Sequence, residues 1–270
     1  MAATGSEARS TTGVPMTGPP PALRRQLTFE VWLVLALSLG ASAVYAVVSL
    51  IGSLTAPGGI GHATATLNAS QAPGRPWLDL TYQLLGIFFA LMPVLLATYL
   101  LQREPGDARG LLGLNLSRPG FDVGFGFSLA AVIGIPGLGL YVLARHLGIN
   151  ATVVAAALPH VWWAVPVLVL SAIQNAVVEE VIVVGYLLTR LREFRWPTPY
   201  AIATSAVLRG SYHLYQGFGA FVGNAIMGVI FGLFYKKFGR VTPLIVAHSI
   251  LDIVSFVGYT IFAKHIAFLR

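Results

Sequence analysis

Glu179 and Glu180 stand side by side in an apolar run, and later apolar runs carry Arg209 with His213, and His248 with Asp252. Placing a charged side chain in hydrocarbon costs roughly 2.5–3.5 kcal/mol on insertion scales, so these groups require partners or a watery cavity. A carboxylate beside imidazoles can take a proton from water while the imidazole positions that water or stabilises developing charge. The same donors, Glu179, His213, His248 and Asp252, are also of the types that ligate a divalent metal such as zinc. Arg209 and His213 are four residues apart and share a helical face, as do His248 and Asp252. Glu179 and Glu180 point about 100° apart on an α-helix, so one is expected to face a cavity and the other to secure a neighbouring helix. Asn175, one turn before Glu179, can hydrogen-bond near it.

The elements that hold these residues must be membrane helices. Apolar residues make up 56% of the 270-residue chain and charged residues 10%, with a mean hydropathy of +0.76. That composition excludes a soluble domain and predicts an all-α, polytopic transmembrane bundle. Seven spans are expected, at about 29–54, 78–101, 122–144, 161–189, 199–216, 218–235 and 241–262. Residues 1–27, with Pro19, Pro20 and Pro21 among Ala, Thr and Gly, read as a disordered tail. Residues 28–270 then form the membrane domain, beginning with an uncleaved first helix.

The net charge of +7 does not form a nucleic-acid patch, because the basic residues sit in short groups at span ends. Arg9, Arg24, Arg25, Arg103, Arg109, Arg118, Arg190, Arg192, Arg195, Lys236, Lys237 and Arg240 fall on one side. Arg75, Arg145, Lys264 and Arg270 fall on the other. This asymmetry predicts a cytoplasmic N-terminus and an outer C-terminus; the plasma membrane is the expected residence of the chain. The turn near Gly217 is where a re-entrant hairpin would alter the span count. The chain has no cysteine, which excludes disulfides, thiolate metal sites and a Cys nucleophile.

Between the spans, Thr55–Trp77 reads as a solvent-exposed connector, and Asn68-Ala69-Ser70 within it fits a glycosylation acceptor. Gly219/Gly223 and Gly228/Gly232 have the four-residue spacing that lets helices approach closely, and Asn224 on the same span needs a partner.

The segments Glu179–Leu187 (EEVIVVGYL), Leu208–Gly217 (LRGSYHLYQG) and Pro243–Asp252 (PLIVAHSILD) resemble the three motifs, EExxxR, FxxxH and HxxxN/D, of the CPBP family of intramembrane proteases. That family includes the type II CAAX prenyl endopeptidases and bacteriocin-processing or immunity proteins, and the resemblance covers residues 160–262. It implies that Glu179 and His213 activate the attacking water, that His248 and Asp252 stabilise the oxyanion or hold the site together, and that Glu180 supports them. It also implies a membrane-associated or lipid-anchored protein as substrate. Val184 stands where the first motif has Arg, and Arg209 where the second has an aromatic residue. A buried guanidinium cannot shed its charge, so Arg209 is expected to pair with Glu180 in place of the missing motif arginine. The alternatives are a scaffold or immunity protein that has lost catalysis and, third, a transporter, which the lack of an inverted repeat of broken helices disfavours.

Overall fold

In the computed structural model, which describes residues 19–103, 106–158 and 161–262, the chain runs back and forth between two ends of a helical bundle. Helices α1 (Pro21–Ala36) and α2 (Leu39–Thr55) meet at a 52° bend. After strand β1 (Thr64–Ala69), α3 (Pro76–Ala90) and α4 (Met92–Gln102) form one apolar stretch interrupted at Leu91. The short α5 (Ala108–Leu112), the long α6 (Pro119–His146) and strand β2 (Thr152–Ala157) follow. Next, α7 (Ala164–Glu179) passes through a π-helical segment, Glu180–Tyr186, into α8 (Leu187–Glu193). The chain then folds α9 (Thr198–Ser211), α10 (Phe218–Phe238) and α11 (Thr242–Phe262). Proline opens α1, α3 and α6 and is the second residue of α4 and α9, where its missing N–H removes a donor that has no intrahelical partner.

Five stretches among the described residues are long and apolar enough to cross a membrane: Pro76–Gln102, Pro119–His146, Ala164–Glu193, Phe218–Phe238 and Thr242–Ile261. The bent α1–α2 pair makes six. The difference from the expected seven lies in α9, which has 14 residues and measures about 21 Å. It still joins the two ends, because Thr198 lies beside Lys236 while the exit at Gly217 pairs with Asn150 beyond α6. Gly217 has φ +120°, and a side chain there would meet the Ile149 carbonyl, so the turn requires glycine. The first helix begins at Pro21, so helical structure starts before the expected tail boundary at residue 27; residues 1–18 of that tail lie outside the described residues.

The loops are more ordered than their composition suggested. Instead of a plain connector, Thr64–Ala69 pairs in parallel with Thr152–Ala157, with Thr64 opposite Thr152 and Ala69 opposite Ala157. Parallel pairing is open to them because the chain from α3 to α6 forms the crossover. Asn68 donates its amide to the Ala155 carbonyl at 2.8 Å and accepts from Ser171 Oγ at 3.0 Å. The side chain that would accept a glycan thus ties the sheet to α7.

Helix packing follows the small residues. Added β-carbons at Gly228 and Gly232 would meet Ala206 and Ile202 of α9 at 2.8 and 3.0 Å, whereas Gly219 and Gly223 face Ala144 and Leu140 of α6. One glycine pair therefore serves each neighbour. Asn224 donates to the Ala220 carbonyl of its own helix at 3.0 Å, so its amide is satisfied within α10. At the basic end, Glu30 of α1 lies 3.6 Å from both Arg103 of α4 and the buried Arg190 of α8.

Also at that end, Arg240 grips Asp122 of α6 through Nε at 2.8 Å and Nη2 at 2.7 Å, and donates to the Asn115 carbonyl at 2.9 Å. Asp122 is 2% exposed, so losing its partner strands a buried carboxylate. Arg240→Ala is expected to cost about 3 kcal/mol, seen as a lower thermal midpoint in detergent, with Arg240→Lys restoring only part because it lacks the fork. An unchanged midpoint in Arg240→Ala would contradict this role.

Candidate active site

The two glutamates occupy the junction where α7 gives way to the π segment. Val181, Ile182, Val183 and Val184 behind them are fully buried, which anchors the wide turn in the core. Its irregular hydrogen bonding is supported by Ser205 of α9, whose Oγ donates to the Val183 carbonyl at 2.8 Å. Gly185 keeps the turn against α5, since a β-carbon there would lie 2.9 Å from Leu112 Cδ2. Val184, at the position where the motif has arginine, packs among these apolar groups.

A cation reaches the site from α9 instead. Arg209 Nη2 donates to Glu180 Oε1 at 2.7 Å, the pairing anticipated from sequence, and Nη1 donates to Glu179 Oε2 at 3.3 Å. Its guanidinium carbon lies 5.4 Å from the centre of the Phe231 ring. One arginine thus bridges two adjacent carboxylates whose helical directions differ.

The carboxylates are not equivalent. Glu180 is fully buried, and its Oε1 also lies 2.7 Å from His248 Nδ1. A carboxylate oxygen accepts, so Nδ1 carries the proton and His248 is held by its Nδ1 side. Glu179 receives the Tyr212 hydroxyl at 2.7 Å, and both of its bonds fall on Oε2. It also lies on the wall of a cavity of about 320 Å³. That cavity opens where two helix pairs are interrupted, with Leu37 and Ser38 at the α1–α2 bend, Phe89 and Pro93 at the α3–α4 break, and Gln174 on α7.

His213 lies in the turn just past α9, and its Nδ1 lies 3.0 Å from the Arg209 carbonyl. Nδ1 must be the donor there, leaving Nε2 as the acceptor. The ring is within electrostatic reach of Glu179. Asp252 Oδ1 is 3.7 Å from His248 Nε2, beyond hydrogen-bond length, and Oδ2 accepts from Asn175 at 3.5 Å. Asn175 therefore turns to α11 instead of bonding Glu179.

All six residues singled out in the sequence lie in this one region, on α7, the π segment, α9 and the turn after it, and α11. Tyr212 is an addition. Its position three residues after Arg209, on the same helical face, was the available signal. Ser205 gave none, since its partner is a carbonyl freed by the π turn.

The metal set expected from the sequence is Glu179, His213, His248 and Asp252. Among the described residues, the group whose ligand atoms lie within 4.8 Å of one another is Glu179, Glu180 and His248. Arg209 already sits on both carboxylates, and the protonated Nδ1 of His248 faces Glu180. The guanidinium would repel a dication, while among the described residues the hydrogen bonds fall on Glu179 Oε2, Glu180 Oε1 and His248 Nδ1, leaving Glu179 Oε1, Glu180 Oε2 and His248 Nε2 as the atoms that would hold one.

Residues 161–254 match the family model described as Rce1-like, type II CAAX prenyl endopeptidase Rce1-like. No curated protein and no solved structure matches the chain. The matched stretch begins just before α7 and ends within α11, and every residue of the site lies inside it. The part of this multi-pass membrane protein that builds the site is therefore similar to the Rce1-like, type II CAAX prenyl endopeptidase family.

Proposed function

We propose that the protein is an intramembrane endopeptidase of the plasma membrane that hydrolyses a peptide bond in a membrane-associated or lipid-anchored protein, using water as nucleophile. The observation that carries this reading is Glu179, a carboxylate on a cavity wall with Tyr212 and Arg209 both bonded to its Oε2. Oε1 is then the oxygen that takes a proton from water. The hydroxide formed adds to the substrate carbonyl carbon, and Nε2 of His213 accepts from the water and orients it. His248, when protonated at both nitrogens, supports the tetrahedral oxyanion through Nε2–H, with Asp252 beside it. Collapse breaks the C–N bond as Glu179 returns its proton to the leaving nitrogen, giving a carboxylate and an amine. Glu180 and Arg209 hold the geometry.

The test is cleavage of a membrane-proteome or peptide library by wild type and Glu179→Gln, with new termini identified and prenylated and unprenylated substrates compared. Products present with wild type and absent with the variant support the reading. Identical profiles from folded samples exclude it and favour the second reading, a scaffold without catalysis. That reading draws on one observation, the arginine tied to the carboxylate that would act as base.

Tyr212→Phe removes a hydrogen bond to a charged group, an interaction of about 1.5–3 kcal/mol. The expected result is a kcat lowered roughly tenfold to a hundredfold with KM little changed, measured by steady-state cleavage. A change confined to KM would place Tyr212 in substrate binding instead.

A further inference from the structure

A second cavity, of about 310 Å³, opens between α8, α9 and α10 at the basic end of the bundle, and its walls share no residue with the cavity at Glu179. Its floor is apolar, with Leu188 and Ile202 on facing helices. Two buried hydroxyls lie within it, Thr189 Oγ1 and Tyr235 OH, 3.3 Å apart. Arg192, Trp196 and Lys236 stand exposed at the mouth.

Cations at helix C-termini are ordinary, and those flanking membrane spans set orientation. Here two of them do something more specific. Arg192 closes the span Ala164–Glu193 and Lys236 closes Phe218–Phe238, so both sit at the depth of lipid headgroups. They come from different helices, line the same cavity, and no acidic residue lines it with them. An apolar floor at this depth takes hydrocarbon, while a cationic rim with hydroxyls beside it takes an anionic oxygen-rich group. Trp196 has the amphipathic ring that settles at that boundary.

We propose that this cavity is a binding site for an anionic phospholipid, its phosphate between Arg192 and Lys236 and an acyl chain over Leu188 and Ile202. The proposal is independent of proteolysis.

The experiment titrates delipidated protein in uncharged detergent with short-chain phosphatidylglycerol, reading the thermal midpoint and bound lipid by native mass spectrometry. Parallel arms use short-chain phosphatidylcholine and inorganic phosphate. The variant is Arg192→Gln with Lys236→Gln. The control is Arg195→Gln with Lys237→Gln, which removes the same charge from the same end at exposed positions outside the cavity. Saturable stabilisation of wild type and control by phosphatidylglycerol is expected, with apparent affinity roughly 30-fold weaker in the variant, about fivefold for each cation. Equal weakening in the control, equal stabilisation by phosphatidylcholine, or the same shift from inorganic phosphate alone would overturn the proposal.

Discussion

Arg209→Ala is expected to lower folding stability by about 3–5 kcal/mol, because it leaves a buried carboxylate pair without its shared cation. The guanidinium and Glu180 are both fully buried, so solvent cannot compensate. Glu180→Gln alone should also destabilise, since it removes the negative charge that faces Arg209 and His248 at 2.7 Å. Combined, the two substitutions remove a cation and an anion together, and their joint loss should fall short of the sum by at least about 1 kcal/mol. The residual loss comes from Glu179, which remains beside the emptied position. Equilibrium unfolding in detergent for wild type, both single variants and the double variant measures this coupling. Simple additivity would mean that Arg209 and Glu180 are neighbours without being partners.

Glu179→Gln should separate chemistry from folding. The amide oxygen of glutamine can still accept from Tyr212, so the fold should lose little, whereas the proton acceptor for water is gone. General-base catalysis contributes about 10²–10⁴-fold, and a fall in kcat of roughly a thousandfold is expected at equal folded concentration. Glu180→Gln should give the opposite pattern, a clear loss of thermal stability with activity falling in proportion to folded protein. If Glu180→Gln abolished turnover in fully folded enzyme while Glu179→Gln did not, the roles of the two carboxylates would be exchanged. Single-turnover cleavage alongside a melting curve for each variant decides this.

The bundle and the membership of its site were legible because a buried charge is conspicuous in a chain with so few. Arg209, His213, His248 and Asp252 announced themselves by residue type, and their i, i+4 spacing showed which faces they share. Their partners were harder to read. Asn175 could serve Glu179 or an adjacent helix, and only the packing of α7 on α11 directs it to Asp252. Tyr212 looked like one aromatic among many. The break between α1 and α2 at Leu37–Ser38, and the interruption of α3–α4 at Leu91, leave no signature in apolarity, yet they form the walls of the cavity. The parallel strand pair was hidden for another reason. Its partners are separated by the whole passage from α3 to α6, and pairing at that distance is set by how the helices pack.

The π segment was equally hidden, because Val, Ile, Val, Val is compatible with many conformations. Such a segment amounts to one extra residue taken into a helix that is α on both sides. Everything beyond it is turned by about 100° relative to an unbroken α-helix. Beyond it lies Arg190, which meets Glu30 of α1 at 3.6 Å and Glu193 at 2.8 Å. The wide turn therefore sets the phase between the half of the span that presents the carboxylates and the half that grips the first helix. Deleting one residue within Val181–Val184 would leave Glu179 and Glu180 in the sequence but swing Arg190 off Glu30, loosening the helix pair that walls the cavity.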